Sequence, residues 1–211
     1  MSAAPAERPH SAEASDREKS LLDEANLLME RNPGYRIEII EGQIRVTPPA
    51  DGAHGRGLTK LMSPFMAAGL DGGETEVVQA IGIWLPSGPE DYAIPDLAVV
   101  DADFEDHYTE NNCYDPVAFR LVLEVTSSNY QSDLRTKVGA YARAGVPVYV
   151  IVDRKHNRIH VLTDPEENEY ATHRVHAPGE LITLPDSLGA KVTLDVTEIL
   201  KATQPKPRKK D

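Results

Sequence analysis

Three consecutive segments constrain this chain most: "FRLVLEVT" from Phe119, "SDLRTKVGAYARAG" from Ser132 and "PVYVIVD" from Pro147. Apolar residues crowd the first and last at strand length. The middle segment is amphipathic at helical spacing and is closed by Gly145, with Pro147 just beyond. Strand, helix, strand in that order is a βαβ unit, which requires a parallel pair of strands. One residue breaks the pattern: Glu124 sits inside the most apolar run. A carboxylate buried without a partner is strongly destabilised. Glu124 therefore either faces solvent from an edge strand, alternating with Arg120, or meets a partner or a cation.

The rest of the chain supplies hairpins and two further helices. Residues 1–15 are rich in Ala, Pro, Ser and Glu and read as a disordered tail. From Asp16, a plausible N-cap, Leu21, Leu22, Ala25, Leu28 and Met29 recur at helical steps until "NPGY" stops them. "RIEIIEGQIRVTPP" reads as a hairpin turning at Glu41-Gly42. "AHGRGLTKLMSPFMAAGL" reads as a helix with Pro64 at a kink or break. "TEVVQAIGIWLP" and "DLAVV" are strand-like, and an acidic polar loop fills 101–116. "RIHVLT" and "EYATHRVH" pair around "DPEEN", and "KVTLDVTEIL" closes the domain. The expected fold class is α/β: a mixed β-sheet with flanking helices, in one domain over 16–200. The last residues, 201–211, form a basic flexible tail.

Bulk properties remove several classes. No apolar run reaches the length of a membrane span, and the N-terminus lacks the basic and apolar regions of a secretory signal. The single cysteine, Cys113, forms no internal disulfide and fits a reducing cytoplasm. Net charge is -12. Phosphate binding by such a chain requires a local basic patch or a bound cation.

Three polar residues stand out. Asp96 opens the strand "DLAVV", Glu124 interrupts "LVLEVT", and Lys137 lies on the next helix. Two carboxylates from adjacent strands suit a hard cation such as Mg²⁺ or Mn²⁺. A nearby lysine suits a transition state that gathers negative charge. Each residue also has a structural reading. Asp96 after Pro95 reads as a strand-start residue, and Lys137 as a solvated partner of Asp133 at i, i+4. Tyr141, one turn after Lys137, either holds the lysine or is simply core, and core is the favoured reading. His156, His160, His173 and His176 lack metal-site spacing and read as strand-surface positions.

Taken together, "YRIEIIEGQI", "PPADGAH", "IPDLAVV", "LVLEVTSS", "SDLRTKVGAYARAGVPVYVIVD" and "VTLDVTEIL" resemble the Uma2-like (DUF820) family, a branch of the PD-(D/E)XK nuclease superfamily. The resemblance implies a restriction-endonuclease-like core in which Asp96 and Glu124 bind a Mg²⁺ or Mn²⁺ ion. Where the superfamily usually carries its lysine, two residues after the acid, this chain has Thr126. The resemblance implies that Lys137 takes over, and it adds Glu38 and His54 as further site residues. Glu38, alternating with Arg36 and Ile40, also reads as an ordinary solvent-face strand residue, and His54, beside glycines, as a helix-start or surface residue. "EVTSSNY" lacks a proline that the family often shows after the acid.

The function so implied is a divalent-metal-dependent endonuclease acting on nucleic acid, with DNA as the expected substrate and a homodimer compatible with the resemblance. The alternative is a nuclease-fold domain that has lost catalysis and binds protein or nucleic acid.

Overall fold

The computed structural model describes residues 20–126 and 132–205. The expected N-terminal tail, the Asp16 cap, the loop beginning at Ser127, the Asp133 side chain and residues 206–211 lie outside them; residues 201–203, expected in a flexible tail, instead end the last helix. Helix α1 (Leu21–Arg31) starts after Ser20, whose hydroxyl accepts from Asp23 N. Strands β1 (Arg36–Ile40) and β2 (Gln43–Thr47) form the expected hairpin. Its turn residues Glu41 and Gly42 both have positive φ, 54° and 68°, as a tight hairpin of right-handed twist needs. Asp91 accepts from both of their N–H groups, at 2.8 and 3.0 Å. Helix α2 (Gly52–Ala67) is capped by Asp51 and contains Pro64 without ending there.

Next come β3 (Thr75–Val78), β4 (Gly82–Trp84), β5 (Tyr92–Ala93) and β6 (Leu97–Asp101). The segment expected to be an acidic loop instead holds two short strands, β7 (Tyr108–Glu110) and β8 (Cys113–Tyr114). Their polarity disguises them: β7 is exposed along its length. The βαβ unit follows as β9 (Phe119–Val125), a π-helical turn (Ser132–Thr136) running into α3 (Lys137–Arg143), and β10 (Val148–Asp153). Then come β11 (Arg158–Pro165), β12 (Tyr170–His176), β13 (Leu181–Thr183), β14 (Thr193–Asp195) and α4 (Val196–Thr203).

These strands divide between two six-stranded sheets, ordered β2-β1-β5-β4-β8-β7 and β12-β11-β10-β9-β6-β3, plus the β13-β14 pair. The single mixed sheet expected from sequence is thus two. In the second sheet β9 runs parallel to β10 and antiparallel to β6. It is covered on both faces, which explains its near-continuous apolar run. Leu121, Leu123 and Val125 face one hydrophobic cluster, with α2 and α4; Val122 faces the other, with Tyr141, Tyr149 and Ile151. Glu124 shares the parity of Val122 and so lies on the α3 side. The edge-strand reading of Glu124 is therefore wrong: it is 2% exposed in a central strand.

Candidate active site

The side chains of Glu38, Asp96, Glu124, Lys137 and His54 line one cavity of about 750 Å³. All five are buried. Five chain segments deliver them: β1, the residue before β6, the end of β9, the start of α3 and the first turn of α2.

Lys137 ties two of the acids together. Its Nζ lies 2.7 Å from Glu124 Oε1 and 2.8 Å from Glu38 Oε1. Glu38 Oε1 also accepts from Ile94 N at 2.8 Å. The solvent-face reading of Glu38 and the solvated-face reading of Lys137 both fail, since β1 and α3 turn these residues inward. Residues 137 and 141 lie one helical turn apart, so they share a face. Tyr141 accordingly donates to Glu124 Oε1 at 3.0 Å while its ring packs edge-on against Tyr149. Tyr141 is core, as the sequence suggests, and also holds the acid. Burial, then the Glu124 charge, push its phenol well above the usual range, so it stays a donor.

Asp96 closes the second half. Its Oδ2 accepts from Val125 N at 2.7 Å, so the side chain extends the β6–β9 pairing by one hydrogen bond. Its Oδ1 lies 2.6 Å from Arg36 Nη2 and 3.3 Å from His54 Nε2. Burial favours the neutral acid. The His54 ring, the Arg36 guanidinium and the Val125 N–H outweigh it and hold this carboxyl well below the usual carboxylate range. His54 is placed by its helix cap: its N–H donates to Asp51 Oδ1 at 2.7 Å.

Arg36 is the residue that sequence reasoning missed. Its Nη1 also lies 3.7 Å from Glu124 Oε2, so one guanidinium reaches both acids. The available signal was its position two before Glu38, which puts both on one face of β1. Burial opposes its charge, but Asp96, Glu124 and Glu38 outweigh burial and raise its pKa.

Thr126 has a task of its own. It is buried, its N–H donates to Val152 O at 3.0 Å, and its Oγ1 accepts from Arg154 N at 3.0 Å. It locks the ends of β9 and β10 together and fixes the cavity rim, while the ammonium beside Glu124 comes from α3. Arg45, Arg154 and Lys155 also line the cavity, so its lining carries five Lys and Arg against four Asp and Glu in a chain of net charge -12, with Arg154 paired to Asp51 at 3.0 Å.

Among the described residues, no group of three or more His, Cys, Asp or Glu is arranged to hold a metal ion. In donor chemistry the acids do suit one. Asp96 and Glu124 offer oxygen only, on one cavity wall, as a hard divalent cation prefers. Both already meet the same cation, Arg36.

Of the histidines read as strand-surface positions, His160, His173 and His176 lie on strands and His156 on the turn before β11. His156 Nδ1 lies 2.6 Å from Asp153 Oδ2, and His160 Nδ1 lies 2.9 Å from His173 Nε2.

The architecture is of the restriction-endonuclease-like class. The crystal structure of a putative nuclease belonging to DUF820 from Anabaena variabilis ATCC 29413 matches it with a TM-score of 0.62 at 15% identity, covering 80% of this chain and 91% of that one. The model of the Uma2 family, described as putative restriction endonuclease, matches residues 23–197, and the chain belongs to that family. No curated protein matches the chain. No described helix is long and apolar enough to cross a membrane.

Proposed function

We propose that this protein is a divalent-metal-dependent endonuclease that hydrolyses phosphodiester bonds in nucleic acid, with DNA as substrate. The observation that carries the reading is the joint contact of Lys137 with Glu124 and Glu38, beside Asp96, on the wall of a cavity with basic residues in its lining. Membership of the Uma2 family supports the reaction class.

Asp96 and Glu124 would hold the ion. A bound Mg²⁺ or Mn²⁺ supplies a more acidic water and neutralises charge on the scissile phosphate. The protein's own groups do the rest. Lys137 presents a fixed positive charge where the phosphorus centre becomes more anionic. Tyr141 and Lys137 fix the Glu124 carboxylate, and the Val125 N–H fixes Asp96. Arg45, Arg154 and Lys155 offer the local positive charge that a phosphate backbone needs against the overall charge of -12.

The test is cleavage of plasmid and oligonucleotide with Mg²⁺ or Mn²⁺. Glu124→Gln should abolish cutting while circular dichroism shows the chain still folded, at a lowered melting temperature. No cutting of varied DNA and RNA, together with no metal binding by calorimetry, would sink the reading. The second reading, a nuclease-fold domain that binds without cutting, is favoured by one observation: Arg36 already compensates both acids. On that reading nucleic acid binds with no divalent ion present, and Glu124→Gln leaves its affinity unchanged.

A further inference from the structure

Two cations pair with this cluster, and they are held differently. Lys137 makes two short ion pairs and its side chain is only 4% exposed. Arg36 is 24% exposed and makes one short contact, 2.6 Å to Asp96, and one long one, 3.7 Å to Glu124. Of the two, Arg36 is the cation that can leave. It also spans the same pair of carboxylates that a divalent ion would bridge.

We propose that Arg36 is a resident counter-ion: it holds the cation position between Asp96 and Glu124 and turns into the cavity when a divalent ion binds. The inference rests on the cation-dependent reading of the site above. Two adjacent buried carboxylates cannot both stay ionised without compensation. A guanidinium meets that need, because its planar fork suits paired carboxylates and it is never deprotonated.

Charge balance favours exchange over addition. At their ordinary charges Glu38, Asp96 and Glu124 carry one more negative charge than Arg36 and Lys137 offset. A divalent ion added with Arg36 in place would overshoot and set two cations against each other. Arg36 lines the cavity, so a displaced guanidinium turns toward the space an anionic phosphodiester would enter. By linkage, an anion that accepts Arg36 there also tightens cation binding.

The experiment is calorimetry with Mn²⁺ alone on the full chain, comparing wild type with Arg36→Gln and Arg36→Lys. A site that must first expel its own cation binds with reduced apparent affinity. Arg36→Gln should therefore bind Mn²⁺ roughly tenfold tighter or more, and Arg36→Lys should fall between. In wild type, the Arg36 Nε–Hε NMR signal should shift in step with Mg²⁺ binding. Equal Mn²⁺ affinity in wild type and Arg36→Gln, or an Arg36 signal unmoved at saturating Mg²⁺, overturns the inference and leaves the cation reading standing. No Mn²⁺ binding by any of the three overturns both. If Arg36→Gln does not fold, Arg36→Lys and the wild-type NMR titration decide.

Discussion

Lys137 Nζ lies 2.7 Å from Glu124 Oε1, joining a helix and the strand before it at a point almost sealed from solvent. Removing one member of a buried pair strands the other charge, which typically costs about 3–5 kcal/mol. Lys137→Met should therefore lower the unfolding free energy by about that amount in urea titration. Adding Glu124→Gln should recover part of the loss. A double-mutant cycle with no coupling energy would contradict the contact.

Tyr141→Phe tests the second tie to Glu124. The ring stays packed on Tyr149, and only the hydroxyl donor is lost. A hydrogen bond to a charged group contributes about 1.5–3 kcal/mol, so a destabilisation in that range is expected. As a positioning change it should lower kcat and leave KM unchanged. A larger effect on KM than on kcat would place Tyr141 in substrate binding instead.

Helices α2 and α4 approach closely at Gly57, where an added Cβ would run into Thr203 Cγ2. Thr203 is fully buried and its hydroxyl is engaged with Leu200 O. Gly57→Ala should destabilise by about 1–3 kcal/mol through overpacking. Thr203→Ser removes the offending methyl and should restore most of the loss in the double variant. Thermal melting of the three proteins reads this directly.

The stability of the C-terminal half should rise with pH through the histidine range. Burial, then His173, hold His160 below its ordinary pKa against the opposing pull of Asp153; burial alone lowers His173. Below about pH 6.5 the unfolded chain takes up protons that the folded pair refuses. Stability should fall from about pH 6.5 down through the two folded pKa values and level off beyond them. Asp153, whose pKa is depressed, withdraws its contribution only at more acid pH, below about 3.9. His173→Gln should flatten the slope between about pH 5 and pH 8 in urea unfolding. An unchanged slope would mean that the pair titrates normally.

The βαβ unit was legible because its signals are local: an apolar run, a helical stripe, a glycine stop. The division into two sheets was not, because pairings such as β4 with β8 join segments far apart in sequence. The five candidate residues were named by type and resemblance, and the structure brings all five to one cavity. Arg36 and the hydroxyl of Tyr141 escape a reading of the sequence for opposite reasons. Arg36 looked like the solvent side of a hairpin, but the cavity wall of β1 carries it inward beside Glu38. Tyr141 looked apolar enough for core, and its ring is core; only the partner of its hydroxyl depends on tertiary structure. Thr126 looked like a missing lysine, and its hydroxyl turns out to secure Arg154.

The contacts that make the site also join the two sheets, beside apolar packing in which Ile40 and Ile83 of the first meet Val100 and Val122 of the second. Arg36 and Glu38 belong to the first sheet; Asp96 and Glu124 sit on the second, with Lys137 on the helix packed against it. The cluster is therefore a clasp. A nascent or frayed chain whose sheets have not docked lacks both the clasp and the assembled site, so it is unstable and inert together. If the chain has the activity proposed above, this arrangement is a safeguard, since a form whose sheets have not docked would not carry the complete set of groups.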